Sequence, residues 1–299
     1  FISIAKRGTL PVPLRYYAAH TGRWGGDDKL NLQNIPRKSP LKSAIIVPKG
    51  YVLVDADSSQ IEARIVAWLS GQNDLVAAFE RGDDVYKLMA AKIYGKPVDQ
   101  ITDQERFVGK TTILGAGYGM GWAKFQLQLK NFGVELDTIM CHHILKVYRS
   151  EFSRIPALWD QGNRVLDALV DEKLKTTEFG TQPQAVYLLP GVGFDLPSGL
   201  VLRYPELSKQ TVYVDKNSTW REEFSYQTRK GPVRIYGGKV VENICQALAR
   251  IAIGEQMLLI AKKYKVVMTV HDAVACIVPE GEVETAQEYV EMCMRMRPK

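Results

Sequence analysis

Residues 51–71 read Tyr-Val-Leu-Val-Asp-Ala-Asp-Ser-Ser-Gln-Ile-Glu-Ala-Arg-Ile-Val-Ala-Trp-Leu-Ser-Gly. Tyr51 to Asp57 is rich in β-branched and aromatic residues and follows Gly50, which predicts a strand. Ser58 and Ser59 break it. Ile61, Ile65, Trp68 and Leu69 then recur at helical spacing until Gly71, which predicts a helix. Asp57 therefore sits where the carboxyl end of a strand meets a helix start, a place where an exposed acid can hold a metal ion. The same residues also fit a plain helix start, because Ser59-x-x-Glu62 has the spacing of a capping box. This stretch alone supports both readings.

A second acid comes late in the chain. Val266 to Val278 reads as two apolar strands flanking a His271-Asp272 turn, which by itself could be only a turn with a satisfied histidine. Between the two acids, Thr102-x-x-Glu105 is another capping-box pattern. It opens a helix carrying Arg106, Lys110 and Leu114 at i, i+4 and i+8, so two cations share one face. Gly115-Ala-Gly117-Tyr118-Gly119 ends that helix. Read without context, such a basic stripe is a solvated face.

The remaining chain frames these three stretches. Residues 1–20 carry a Pro11-Val-Pro13 break. Thr21 to Pro36 is a glycine-rich polar loop, made basic by Arg23 and the following Arg37 and Lys38. Helices are expected at 74–80, at 84–94 (closed by Gly95 and Pro97), and at 123–132, 138–152 and 156–172. His142 and His143 are sequence neighbours, so on a helix they point apart and read as structural. From about 176 to 236 the texture becomes alternating, with Pro-Ser-Gly and Gly-Pro turns, as in strands. A helix from about 239 to 263 turns Ile244, Leu248, Ile251 and the pair Leu258 and Leu259 toward a core, with Gln246 partly exposed.

Composition sets wide bounds. The chain has 299 residues, 46% hydrophobic and 24% charged, ordinary for a water-soluble globular protein of one or two domains. Thirty-nine Lys and Arg against 33 Asp and Glu give a formal charge of +6. That is compatible with a polyanionic partner without pointing to one. Cys141, Cys245, Cys276 and Cys293 are far apart with no CxxC spacing, which argues against a zinc site or disulfide framework and for a reducing cytoplasm. No apolar run approaches the roughly 18 residues of a membrane span. The chain opens at Phe1 without methionine or a signal peptide, and is expected to be part of something longer.

Taken in order, the motifs resemble those of the family A (polymerase I type) DNA polymerases. Ala56 to Ser70 resembles motif A, D-Y-S-Q-I-E-L-R, with Ser58 for the tyrosine and Ala63 for the leucine. Arg106 to Gly119 resembles motif B, R-x-x-x-K-x-x-x-F-x-x-x-Y-G, with Leu114 for the aromatic residue. Val270-His271-Asp272-Ala273 resembles motif C, V-H-D-E, with Ala273 for the glutamate. Thr21-Gly-Arg23 and Asn31-Leu-Gln33-Asn34-Ile-Pro36 resemble a signature that precedes motif A and lines the primer–template. Leu196-Pro-Ser-Gly199 and Tyr204-Pro205, followed by Tyr236-Gly-Gly-Lys-Val-Val-Glu-Asn-Ile-Cys-Gln246-Ala-Leu-Ala-Arg250, are similar to the bacteriophage branch. Tyr86 stands where cellular members carry histidine.

The resemblance implies an α+β fold: a right-hand polymerase palm, built on an antiparallel sheet, with largely helical fingers. It implies the end of the thumb and a primer–template loop at 1–37, palm at 38–70 and 237–299, fingers at 71–175 and a β-rich insertion at 176–236. It implies template-directed addition of deoxynucleotides to a primer 3′-hydroxyl, in replication or repair, with two Mg²⁺ ions (Mn²⁺ as a substitute). Asp57, Asp272 and the Ser58 carbonyl would hold metal, and Lys110 would act as an acid. Arg106, Lys110, Glu62, Gln60, Leu114, Tyr118 and Tyr86 would bind the nucleotide, Glu62 by crowding a 2′-hydroxyl. Arg23, Gln33, Asn34, Arg64, Gln246 and His271 would contact DNA. The implied partners are primer–template DNA and deoxynucleoside triphosphates, in the cytoplasm (that of a host bacterium for a viral protein). A processivity factor is left undetermined.

Three other readings compete. A phage-type single-subunit RNA polymerase would share the palm, but Glu62 argues against ribonucleotides. An inactive nucleic-acid-binding relic would not need Asp57, Asp272, Arg106 and Lys110 together. A His-Asp phosphohydrolase needs more than the four histidines present.

Overall fold

The computed structural model describes residues 6–29, 31–36, 39–171, 177–214 and 219–298; Arg37 and Lys38 of the basic loop lie outside them. In chain order come β1 (Leu14–Arg15), β2 (Gly25–Gly26), a helical turn α1 (Pro40–Ser43) and β3 (Tyr51–Asp57). Seven helices follow among the described residues: α2 (Ile61–Ser70), α3 (Asn73–Glu80), α4 (Val85–Tyr94), α5 (Asp103–Ala116), α6 (Trp122–Asn131), α7 (Thr138–Glu151) and α8 (Arg154–Val170). Next are the strands β4 (Thr177–Glu178), β5 (Tyr187–Leu189), β6 (Gly193–Asp195), β7 (Val201–Arg203), β8 (Ser208–Val214), β9 (Thr219–Thr228) and β10 (Gly231–Ile235). The long helix α9 (Gly237–Ile260), β11 (Lys265–Val270), β12 (Ala273–Pro279) and α10 (Val283–Arg295) complete the chain. Every strand pairing among the described residues is antiparallel, so the fold is α+β.

The chain forms two compact units, one of Phe1–Ile61 with Gln246–Lys299 and one of Glu62–Cys245. The first is built on a three-stranded sheet in the order β11-β12-β3. β3 forms where expected and alternates, with Val54 buried and Leu53, Asp55 and Asp57 exposed. Helix α10 presents Ala286, Val290 and Cys293, all buried, at helical spacing. It is tied to the end of α9 by side chains that reach backbone carbonyls. Gln256 Nε2 donates to the Met294 carbonyl at 2.9 Å, and the Tyr289 hydroxyl to the Leu259 carbonyl at 2.9 Å.

The second unit has a helical part and a β part. Phe125, Leu129, Ile144 and Tyr148, from α6 and α7, are buried in the helical core, where Tyr148 meets Phe152 edge-on at 5.2 Å. The β part holds a four-stranded sheet, β4-β5-β6-β7, and a three-stranded one, β10-β9-β8. A file of edge-to-face rings runs through both, from Phe179 to Phe194, Tyr204 and Tyr226, with centroids 5.4, 6.1 and 5.1 Å apart. Such pairs add to the stability that their burial supplies.

Three expected boundaries move. Gln60 adopts φ +57°, so α2 begins at Ile61 and Glu62 takes its second position, not the third position a capping box from Ser59 would need. Asp84 is the cap of α4 rather than its first turn, its carboxylate accepting from the Tyr86 and Lys87 amides. Helix α9 ends at Ile260 and the chain to Lys263 is turn.

Candidate active site

Strand register sets the two acids side by side. β12 pairs with β3 so that Ala273 lies opposite Asp57, and the Ser58 amide donates to the Asp272 carbonyl at 3.0 Å. Asp272 itself is the second residue of a two-residue loop between Val270 and Ala273, which are partners in the β11–β12 ladder. The loop's first residue, His271, has φ +53°, a position that hairpin turns of this kind usually give to glycine. Gln60, three residues beyond Asp57, is left-handed too. Non-glycine residues held there are strained and persist only where their surroundings impose it.

The electrostatics follow from this packing. Burial pushes the Asp272 carboxyl up from its ordinary value, the Arg23 guanidinium opposes this, and the charge of Asp57 pushes it further up. Asp55 is raised as well, by burial and then by Asp57. Two carboxylates this close favour a cation between them. Their donor atoms are hard oxygens, as Mg²⁺ prefers, and no cluster of three or more His, Cys, Asp or Glu suited to a metal occurs among the described residues. A Mg²⁺ ion here would complete its shell with backbone oxygen, phosphate and water, its usual habit. The residues present fit the ion.

The other predicted residues of this unit gather nearby. Arg23, Gln33, His271 and Asp272 line one small cleft together with Trp24 and Arg250. Arg23 Nη2 is 3.7 Å from Asp272 Oδ1. Thr21, buried, places its hydroxyl 3.4 Å from Gln246 Oε1. Asn34 is exposed at the end of a short helical turn that the Asn31 side chain caps.

The second unit carries the predicted nucleotide residues. The capping box that opens α5 forms in full: Thr102 Oγ1 accepts from the Glu105 amide and Glu105 accepts from the Thr102 amide. Lys110 and Leu114 are exposed on that helix. Arg106 donates from Nε to Asp84 Oδ2 at 2.7 Å and lies over the ring of Tyr86, 5.3 Å from its centre. Tyr86 is buried beneath it. Burial alone would raise the Asp84 carboxyl, but the bond to Arg106 and the helix amides outweigh it and hold it below the ordinary range. The Tyr118 hydroxyl donates to the Glu62 carbonyl at 3.3 Å. Arg64 turns to Phe79, over its ring at 4.7 Å and bonded to its carbonyl at 3.4 Å.

Three residues of interest escaped sequence reasoning. Asp84 has a legible signal as an acid before a helix. Asp55 stands two residues before Asp57 on the same strand face. Arg250 lies one helical turn past Gln246.

Comparison with known proteins gives the family and the fold. The family model of DNA polymerase family A matches residues 6–180, more than half of the chain. A DNA polymerase of Bacillus phage SP02 is 28% identical over 90% of this chain and 47% of its own length. DNA polymerase I of Chloroflexus aurantiacus is 26% identical over 94% of this chain and 26% of its own. The chain thus spans less than half the length of these relatives. Among solved structures, the POL domain of Pol1 from M. smegmatis, in complex with DNA primer-template and dNTP, superposes with a TM-score of 0.65. It shares 22% identity over 98% of this chain and 46% of that one, and so shows the fold. By the family match, the chain belongs to DNA polymerase family A.

Proposed function

We propose that this chain carries the polymerising part of a template-directed DNA polymerase, joining deoxynucleotides to a primer 3′-hydroxyl. The observation that carries this is the β3–β12 register, which sets Asp57 beside Asp272. Both carboxylates and the Ser58 carbonyl would hold the divalent ions, whose charge would activate the attacking hydroxyl and neutralise the leaving pyrophosphate.

The chain's own side chains do the rest. Arg106 and Lys110, one turn apart on α5, hold the triphosphate, and Lys110 donates a proton to the departing pyrophosphate oxygen. Tyr118 stacks at the templating position and Leu114 lines the nucleotide's place. The Glu62 carboxylate crowds a 2′-hydroxyl. Arg23, Gln246 and His271 meet minor-groove acceptors that every base pair presents, which checks pairing without reading sequence. Primer–template DNA in the relative's complex supports this assignment of partners.

The test is extension of a labelled primer–template with Mg²⁺, deoxynucleotides against ribonucleotides. Template-directed addition of deoxynucleotides, abolished in Asp57→Ala and Asp272→Ala while duplex binding persists, is the expected result. Near-normal rates in either variant would remove the metal role. Addition of ribonucleotides would favour an RNA polymerase instead.

A further inference from the structure

Arg250 lies on the part of α9 that belongs to the unit of Asp272. Its guanidinium carbon is 4.7 Å from the centre of the Trp24 ring and 5.2 Å from that of Tyr16. Its Nε is buried without a hydrogen-bond partner. No carboxylate among the described residues pairs with it. Yet it opens onto the same small cleft as Arg23, Gln33, His271 and Asp272.

Arginine faces stack on aromatic rings, which leaves the N–H edge in the guanidinium plane free for a ligand. The charge of Arg23 is met by Asp272; the charge of Arg250 meets no carboxylate among the described residues. A base edge would offer it a neutral acceptor and leave that charge unanswered. A phosphate offers charge and two oxygens at the spacing of the fork. We propose that Arg250 grips a backbone phosphate of the primer strand close to its 3′ end, as a positioning residue for extension. The inference rests on the polymerase reading above, since that reading brings the primer end to Asp272.

The experiment is primer–template binding by this chain, followed by fluorescence anisotropy across a range of salt. A neutral methylphosphonate is walked through the last linkages of the primer. Wild-type protein should lose about tenfold in affinity at one linkage. Arg250→Gln should lose about as much on the natural primer and nothing further from the neutral linkage at that place. Its salt slope should be shallower by about 1, as for one phosphate contact removed. Arg250→Lys, which keeps the charge, should retain the full slope. Should Arg250→Gln fail to fold, the wild-type walk still decides: indifference to every neutral linkage overturns the proposal. So do losses that add fully at every linkage, which would leave Arg250 as packing for Trp24 and Tyr16. Absence of any duplex binding by the wild type would overturn the polymerase reading itself, whereas normal binding that ignores Arg250 overturns only this inference.

Discussion

Arg23 and Asp272 form a loose ion pair, Nη2 to Oδ1 at 3.7 Å, with both side chains about a quarter exposed. In this arrangement the guanidinium is a counter-charge to the carboxylate proposed to hold metal. Arg23 and a divalent ion then compete for the same charge. Arg23→Ala should bind Mg²⁺ more tightly, yet by no more than about fivefold, because a partly exposed pair is worth at most about 1 kcal/mol. Primer extension should fall in the same variant. A Mg²⁺ titration followed by the fluorescence of Trp24 in the adjoining cleft gives the midpoint; a weaker or unchanged midpoint would rule out competition.

The Tyr118 hydroxyl bonds to the backbone of Glu62, not to its carboxylate. Burial, then the nearby Cys245 and Glu62, hold that phenol well above its ordinary range, so it remains a donor. Glu62→Ala therefore deletes the carboxylate and leaves the bond. Ribonucleotide addition should rise by roughly 10²-fold, about 2.7 kcal/mol of barrier, with deoxynucleotide rates little changed. Tyr118→Phe should do the reverse, losing rate without loss of sugar discrimination. Single-nucleotide extension with matched deoxy and ribo substrates separates the two, and unchanged discrimination in Glu62→Ala would end its role as a gate.

What could be read in the sequence is what short stretches encode. The strand ending at Asp57, the His271-Asp272 hairpin and the Thr102 capping box each lie within a few consecutive residues, where alternation and caps act directly. Pairings across long separations leave no such trace. Asp84 and Arg106 are 22 residues apart in sequence, and Arg250 meets Trp24 only because α9 folds back beside the N-terminal segment. The left-handed Gln60 and His271 were hidden too: histidine takes that conformation more readily than glutamine, but for both it is uncommon and is held by the surroundings. The seven strands between 177 and 235 pair only with sequence neighbours, in two antiparallel meanders, but which of them share a sheet is not written in their alternation.

At Gly109, α5 packs directly against the backbone of α4. A Cβ there would collide with the Tyr86 carbonyl oxygen and stand 3.1 Å from the Ala90 amide nitrogen. Both are backbone atoms in a helix and cannot turn aside. Gly109→Ala gains helix propensity of about 1 kcal/mol but must part the two helices, an overpacking cost of about 1–3 kcal/mol. The melting temperature should drop by a few degrees, and the Asp84–Arg106 bond, which spans the same two helices, should loosen with it. A rise in melting temperature would mean that the helices can separate at little cost.

Glu105 joins helix stability to pH. Its bonds to Lys96 (Nζ to Oε1, 2.5 Å) and to the Thr102 amide draw its carboxyl from 4.5 down to about 2. A carboxylate whose folded value is depressed stabilises the fold wherever it is ionised in the unfolded chain. That contribution is whole above about pH 4.5 and fades as the pH falls toward 2. Thermal unfolding of wild type and Glu105→Gln at low salt should therefore differ most near neutral pH and converge toward pH 3. High salt should narrow the gap throughout, because the group is exposed and its partner charge is screened. A gap of constant size from pH 7 to pH 3 would mean that the carboxylate's charge has no part in holding the start of α5.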